Sequence, residues 1–358
     1  MGEKHRVRFE PVGIDIDADE DETVLDAAFR HGVMLMHGCK EGQCGSCKSF
    51  MLSGDEGIEY ELDRYSTFAL PDYEKEQGMS LLCRAHAYDD LEVELLNYDE
   101  DMLRSGIPIQ EFSTEVVANE PVTHDMRRLV LRLVDPPEIA FLAGQYVDIF
   151  VPGTGGHRAF SMANSPNDED KHLEFVIKIY PDGFFSRFLD RQVSAGDRLT
   201  IKGPYGMCTM RDNPDKDVIF VGGGAGMAPL LSLIRSMAAR GVERPATFYY
   251  GARTADDLCY RDEMHTMSER IPGFRFVEAL SEPADGGSWD GPVGLISDVV
   301  DVNEDDLSGT DAYICGPPPM VEATVPVLVR HGVPEERIFY DKFTLTGSGD
   351  EEGGSDAA

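Results

Sequence analysis

The stretch CKEGQCGSC, residues 39–47, places three of the chain's seven cysteines on one short segment, and a fourth, Cys83, follows in SLLCRAH. These sulfurs suit a disulfide, a zinc site, a redox dithiol or an iron–sulfur centre. The N-terminal residues contain no apolar export segment, so we expect the protein in the cytoplasm, where structural disulfides are rare. An odd number of cysteines also fits disulfide pairing poorly, and the disulfide interpretation is rejected.

The spacing of the four cysteines separates the remaining kinds of site. Zinc ribbons generally bring two C-x-x-C pairs, whereas this chain has one such pair and two single cysteines. A thioredoxin-type dithiol needs only two cysteines and leaves Cys39 and Cys83 unexplained. The pattern C-x4-C-x2-C followed by a distant cysteine is that of a plant-type [2Fe–2S] cluster. We therefore predict that the metal ligands are Cys39, Cys44, Cys47 and Cys83.

The residues around these cysteines suit a cluster. Gly38, Gly42 and Gly45 have no Cβ, so the backbone can wrap closely and direct N–H groups at sulfur. His37 and His86 lie next to ligands, but a Rieske centre would need histidines at the ligand positions themselves. We interpret both histidines as structural, and we expect this centre to carry single electrons.

Composition excludes several classes of function. The formal charge is −34, from 32 basic and 66 acidic residues, which argues against partners that are nucleic acids or anionic membranes. With 42% hydrophobic residues the chain is globular, and no apolar stretch is long enough to span a membrane. The acidity has two interpretations that the sequence leaves open: a soluble or salt-adapted surface, and a docking face for a basic partner.

The pattern of hydrophobic residues predicts three domains and a tail. Residues 1–104 read as a small sheet with one helix and carry the cysteines. Residues 108–212 contain strand-like runs separated by turn residues, which indicates an antiparallel β-barrel. Residues 215–343 alternate strands and helices, the pattern of a parallel α/β sheet. Residues 344–358 are acidic and rich in Gly and Ser, and we expect them to be disordered.

The barrel carries a candidate flavin site. A one-electron centre cannot accept a hydride directly, so a nicotinamide donor requires a flavin in between. In the segment RAFSMAN, Arg158 and Phe160 would share one face of a strand, where a guanidinium can meet a pyrophosphate and an aromatic ring can back a flavin. Ser161 could hydrogen-bond the flavin ring. Gly183 and Ser186 begin a helix in GFFS, and helix N-termini attract phosphate.

The third domain carries a glycine-rich turn and a late cysteine. In FVGGGAGMAPL the turn around Gly224 and Gly226 joins a strand to a helix and can approach a pyrophosphate. It differs from the G-x-G-x-x-G fingerprint because Pro229 stands at the last position. Cys315 and Gly316 end a later strand in YICGPPPM, and ligands of open parallel sheets bind outside such strand ends.

Together these motifs resemble a known superfamily. The first hundred residues are similar to β-grasp plant-type ferredoxins, and R-x-[YF]-S, G-x-G-x-x-P and C-G-P are motifs of the ferredoxin–NADP reductase superfamily. The resemblance implies that Arg158, Phe160, Ser161, Gly183 and Ser186 hold FAD, and that Gly224, Gly226, Pro229 and Gly316 hold the nicotinamide dinucleotide. It also implies that Cys315 lies near the nicotinamide and that Phe343 places an aromatic ring near the flavin.

The choice between NADH and NADPH depends on the residues after the strand TFYYGA. A 2′-phosphate would require basic residues there. The chain offers Arg253, opposed by Asp256 and Asp257. Like charge beside a phosphate is unfavourable, so we expect NADH in preference to NADPH.

The order of the domains resembles the reductase component of soluble di-iron monooxygenases of the methane, propane or phenol type. This implies electron transfer from NADH to FAD to [2Fe–2S] and on to a hydroxylase, with a coupling protein as a further candidate partner. We expect the reductase to be a monomer. Within this group the cysteine loop and the barrel resemble the alkane type, such as propane or methane, most. A reductase of an aromatic ring-hydroxylating dioxygenase or of a phenol hydroxylase is the alternative. A non-enzymatic redox sensor or a zinc-stabilised interaction protein is the other.

Overall fold

The computed structural model describes residues 2–52, 59–103, 107, 109–166, 171–242, 244–284 and 289–343. Its described residues form two compact units. The first unit comprises Met1–Phe112, Gln145–Asp148 and Thr200–Met207. The second comprises Ser113–Gly144, Ile149–Leu199 and Cys208–Ala358.

The N-terminal part is a five-stranded sheet with one main helix. Its elements are β1 (Lys4–Glu10), β2 (Ile14–Asp19), α1 (Val24–Arg30), β3 (Lys48–Leu52), β4 (Tyr60–Leu62), α2 (Asp72–Glu76), β5 (Met79–Leu81), β6 (Ala85–Ala87), β7 (Leu91–Leu95) and α3 (Glu100–Leu103). The sheet order is β2-β1-β7-β3-β5, with β4 and β6 paired separately. Thr23 begins α1 by accepting a hydrogen bond from the backbone N–H of Asp26 at 3.1 Å. The helix then leads directly into the cysteine loop.

The middle part is antiparallel, as predicted. Its elements are β8 (Gln110–Pro121), β9 (Met126–Asp135), β10 (Tyr146–Phe150), β11 (His157–Ser161), β12 (His172–Lys178), α4 (Phe184–Gln192) and β13 (Arg198–Tyr205). The strand order is β11-β10-β13-β8-β9-β12. An antiparallel bridge between Met162 and Phe175 joins the two outermost strands, so the sheet curls into a near-barrel.

The C-terminal part is a parallel sheet covered on both faces. Its elements are β14 (Asp217–Gly223), α5 (Met227–Arg240), β15 (Ala246–Ala252), α6 (Arg261–Arg270), β16 (Phe274–Leu280), α7 (Ile296–Asn303), β17 (Thr310–Gly316), α8 (Pro318–Arg330) and β18 (Ile338–Lys342). The order is β16-β15-β14-β17-β18, and every pair is parallel. Helices α5 and α6 pack in one apolar core and α7 and α8 in another, and the strand β17 is wholly buried.

The predicted fold class is confirmed: a ferredoxin-type domain, an antiparallel flavin-type barrel and a parallel α/β sheet. The domain boundaries proposed from the sequence stay predictions, and the tail 344–358 lies outside the described residues. None of the helices in the described part of the chain has the length and hydrophobicity needed to cross a lipid bilayer.

Candidate functional site

The four cysteines predicted to bind metal meet as two pairs. Cys39 and Cys44 lie in the loop between α1 and β3, and their thiols are hydrogen-bonded to each other. Cys47 lies just before β3, and its thiol contacts that of Cys83, between β5 and β6. Cys47 and Cys83 are buried, whereas Cys44 is exposed. Four sulfurs in two pairs suit a centre of two irons with two protein ligands each.

Within each pair the two thiols shift each other's pKa in opposite directions. The hydrogen bond between them lowers the pKa of Cys44 to about 5 and raises the pKa of Cys39. In the other pair the same kind of bond lowers the pKa of Cys47 and raises that of Cys83. Since the thiolate is the form that binds metal, both thiols of each pair would lose their protons on ligation.

Backbone N–H groups of the loop are directed at the sulfurs. Gln43 and Glu41 donate to Cys39 Sγ at 3.2 and 3.4 Å, and the N–H of Cys39 donates to Cys44 Sγ at 3.4 Å. Such donors stabilise negative charge on sulfur and are one of the factors that set the reduction potential of an iron–sulfur centre.

Two glycines allow the backbone of the loop to pass close to the sulfurs. Gly42 has φ +68°, and a Cβ there would lie 2.8 Å from Tyr65 Cβ and 2.9 Å from Arg84 Cγ. A Cβ on Gly38 would lie 3.0 Å from Cys44 Sγ. A side chain at either position would push the loop away from its present path around the sulfurs.

The two neighbouring histidines have other partners, which leaves the four cysteines as the candidate donor set. His37 contacts the carbonyl of Leu35 at 2.7 Å and accepts the N–H of Gly206 at 3.0 Å. His86 contacts the carbonyl of Glu20 at 3.0 Å. Four thiols with N–H donors around them fit a [2Fe–2S] cluster, which when bound would accept and release one electron at a time.

The two segments predicted to hold flavin lie together. On β11 the half-buried Arg158 and Phe160 share a face, with the exposed Ala159 between them. The Arg158 guanidinium stands 6.0 Å from the ring centre of Phe184, and the Phe160 ring is 4.6 Å from that of Phe185. A cation and aromatic rings therefore line one surface, as a pyrophosphate and a flavin ring would require. The third predicted residue, Ser161, is buried beside them at the end of β11.

Gly183 and Ser186 shape the beginning of α4. Gly183 is the N-cap residue, and a Cβ there would lie 2.9 Å from Ser186 Oγ. Ser186 Oγ in turn accepts the backbone N–H of Tyr180 at 3.0 Å, which fixes the turn before the helix. No side chain caps α4 among the described residues, so its first N–H groups form a positive end suited to phosphate.

The glycine-rich turn and the late cysteine motif come into contact. Gly224 has φ +56°, a conformation that favours glycine. A Cβ on Gly226 would lie 1.9 Å from the carbonyl oxygen of Cys315, so only glycine allows the two segments to meet. Gly316 follows at the end of β17, and Pro229 is buried in the first turn of α5. This junction lies at the carboxyl ends of β14 and β17, where open parallel sheets bind ligands.

The predicted catalytic residues at this junction have different surroundings. Cys315 is fully buried, its Sγ lies 3.9 Å from Cys208 Sγ, and burial raises its pKa, so it is a neutral thiol. Phe343 follows β18, and its N–H donates to the carbonyl of Gly316 at 2.9 Å. The roles assigned to Cys315, Phe343 and Ser161 stay predictions.

The end of β15 is acidic, as the sequence indicated. Arg253 is largely exposed and stands 3.9 Å from the carboxylate of Asp257. Asp257 is buried and accepts the N–H and hydroxyl of Thr254 at 2.9 and 2.8 Å. Asp256, next to it, is exposed. Arg253 therefore lies beside the Asp257 carboxylate, which is fixed by its hydrogen bonds to Thr254.

Sequence reasoning missed two features. Lys40, next to a ligand, forms a buried ion pair with Asp148, and Cys208 faces Cys315. A lysine in a loop is ordinarily exposed, so its residue type gave no signal. Cys208 could have been noticed as a further cysteine in GPYGMC, but only the folded chain shows its neighbour.

Three family models match the chain in the order of its domains. The 2Fe-2S iron-sulfur cluster binding domain matches residues 7–88, the oxidoreductase FAD-binding domain residues 113–210, and the oxidoreductase NAD-binding domain residues 220–325. The propane 2-monooxygenase reductase component of Gordonia sp. (strain TY-5) is 50% identical over 96% of this chain and 98% of that protein. This chain belongs to the family of monooxygenase reductase components.

Two further reductases are similar to this chain over nearly its whole length. The phenol 2-monooxygenase reductase component DmpP of Pseudomonas sp. (strain CF600) is 33% identical over 96% of both chains. The crystal structure of the Amycolatopsis cytochrome P450 reductase GcoB matches with a TM-score of 0.85 and 33% identity, over 96% of this chain and all of that one.

Membership of the family establishes the type of activity. The chain is a nicotinamide-dependent oxidoreductase with FAD and [2Fe–2S] cofactors that delivers electrons to an oxygenase partner. The predicted family, enzyme class and cofactor types are confirmed. The alternatives of a non-enzymatic redox sensor and a zinc-stabilised interaction protein are rejected.

Proposed function

We propose that this chain oxidises NADH and supplies single electrons to the hydroxylase component of a propane-type di-iron monooxygenase. The observation that carries the proposal is the meeting of four cysteine sulfurs, in two pairs, on a loop whose N–H groups point at them. This is the donor set that a one-electron centre needs, in a chain that also has flavin and nicotinamide domains.

The proposed roles of the remaining residues follow from their places. Arg158 and Phe160 would bind the pyrophosphate and ring of FAD, and Ser161 would hydrogen-bond that ring. The N-terminal end of α4, set by Gly183 and Ser186, would bind the FAD phosphates. The junction of Gly224, Gly226, Pro229, Cys315 and Gly316 would bind the nicotinamide dinucleotide, and Phe343 would lie near the flavin.

We propose NADH as the electron donor. Asp257 is buried and hydrogen-bonded to Thr254, and Arg253 lies beside its carboxylate. The arginine therefore does not form an anion-binding site by itself. A ribose diol can donate hydrogen bonds to a carboxylate, whereas a 2′-phosphate would be repelled by it. Arg253 would then contact the adenosine part of NADH without selecting for the phosphate.

The propane-type assignment rests on similarity. The propane 2-monooxygenase reductase components are 47–50% identical to this chain, whereas the phenol-type reductases are 33% identical. Partner surfaces of a reductase diverge with the partner, so the higher identity favours the propane-type hydroxylase. We further propose that the reductase acts as a monomer in the cytoplasm, with a coupling protein as a third component.

Reconstitution tests the proposal. The purified reductase is combined with the hydroxylase components of a propane-type and a phenol-type monooxygenase, with and without their coupling proteins. Gel filtration reports the oligomeric state. We expect NADH-dependent consumption of propane with the first hydroxylase and much slower turnover of phenol with the second. Equal or faster phenol hydroxylation would contradict the propane-type assignment.

A further inference from the structure

Lys40 occupies an unusual place for a loop lysine. It follows Cys39 directly, yet only 16% of its side chain is exposed. Its ammonium forms an ion pair with Asp148, whose side chain is 6% exposed. The same ammonium lies 3.2 Å from the ring centre of Tyr205 and 5.4 Å from that of Tyr146. A cation is thus buried between an anion and two aromatic faces.

The two residues before Cys39 are hydrogen-bonded to the same two segments, 145–148 and 200–207. The hydroxyl of Tyr146 donates to the carbonyl of Gly38 at 2.9 Å. The N–H of Gly206 donates to the ring of His37 at 3.0 Å. These segments belong to the first compact unit together with the cysteine loop. Segments 145–148 and 200–207 therefore hold the loop residues on both sides of Cys39.

The backbone conformation of Lys40 is unusual for a residue other than glycine. Its φ is +59°, in the left-handed region that residues with a Cβ rarely adopt. A residue other than glycine persists there when surrounding contacts hold it. The ion pair and the two rings are such contacts.

We propose that Lys40 is a positioning residue for the iron–sulfur centre, which holds the ligand loop through Asp148 and Tyr205 and favours the reduced form of the centre. The inference rests on the proposed ligation by the four cysteines. Reduction adds one negative charge, which a nearby cation stabilises and a nearby anion destabilises. Buried charges are screened less by water and salt than exposed ones, so both members of the pair act on the centre.

Removal of the cation and removal of the anion should shift the reduction potential in opposite directions. This distinguishes an electrostatic role from a role in packing. Lys40→Met keeps a long apolar side chain but removes the cation and leaves the Asp148 carboxylate in place. We expect it to disfavour reduction about tenfold, equivalent to about 59 mV for a one-electron couple. Asp148→Asn removes the anion and leaves the ammonium, and we expect the reduction potential to rise.

The measurement is an anaerobic redox titration of the full-length holoprotein, followed by the electron paramagnetic resonance signal of the reduced cluster. Iron and sulfide contents are determined for each variant. Lys4→Met is the matched control, because Lys4 pairs with Asp17 on the exposed surface, and it should leave the potential unchanged.

Opposite shifts in the two variants support the proposal. No shift in either variant, or shifts of the same sign, would overturn it. If Lys40→Met loses its cluster, the sign of the shift in Asp148→Asn decides. A wild-type protein without iron would instead refute the proposed ligation, and this inference with it.

Discussion

Cys83 is the one proposed ligand that lies outside the loop carrying the other three. It is buried, its thiol contacts that of Cys47, and the chain reaches it only after β5. The loop alone therefore supplies three of the four sulfurs. The fourth would come from the turn between β5 and β6, so that the fold itself would complete the site.

Replacing Cys83 tests this role. Cys83→Ser leaves a hydroxyl, a poor ligand for a cluster, so we expect near-complete loss of the iron–sulfur signal and of electron transfer to external one-electron acceptors. Reduction of FAD by NADH should continue, since the flavin and nicotinamide residues lie in other segments. Stopped-flow absorbance separates the two steps.

The control for that variant is another buried cysteine. Cys259 belongs to the second compact unit and is buried, with its Sγ 3.1 Å from the hydroxyl of Tyr250. Cys259→Ser should keep both the cluster and onward transfer. Full onward transfer in Cys83→Ser would show that the cluster assignment is wrong.

At the scale of elements, the nucleotide site is built by strand ends. Strands β14 and β17 are parallel neighbours, so the turn after one and the motif after the other meet at one edge of the sheet. Gly226 allows that contact, because a Cβ there would overlap the carbonyl oxygen of Cys315.

Gly226→Ala tests the contact. The added methyl group forces the turn away from β17, so we expect destabilisation of at least about 1–3 kcal/mol and a raised KM for NADH. Thermal unfolding and steady-state kinetics measure the two effects. Gly309→Ala is the control, because among the described residues only its chain neighbours lie within 4 Å of its Cβ position. Equal behaviour of the two variants would contradict the close approach.

The pattern of side chains along the chain predicted many of the helices and strands, but not all of them. The small N-terminal sheet with its one main helix and the alternation of strands and helices from β14 onward were predicted from side-chain periodicity. Strand β8 shows such a pattern less clearly, because many of its side chains are polar. The cysteine spacing predicted four ligands, of which three lie on one loop and the fourth, Cys83, lies between β5 and β6; their ligation stays a prediction.

At the scale of the whole molecule, contacts between distant residues could not be predicted from one sequence. Lys40 and Asp148 are 108 residues apart in the chain, and nothing in either segment indicates the other. The pairing of Cys208 with Cys315 spans 107 residues. Such contacts depend on how β10, β13 and β17 are placed by their sheets, which is a property of the complete fold.

The central claim is a path of electrons from NADH through FAD to the cluster, and an anaerobic titration of the purified holoprotein with NADH, followed by its visible spectrum, tests it most directly. FAD takes two electrons and the cluster one, so we expect both sets of bands to bleach and to require about 1.5 NADH per chain. A parallel titration should show that NADPH reduces the protein much more slowly. Bleaching of the flavin bands alone, or of neither set, would contradict the proposed path.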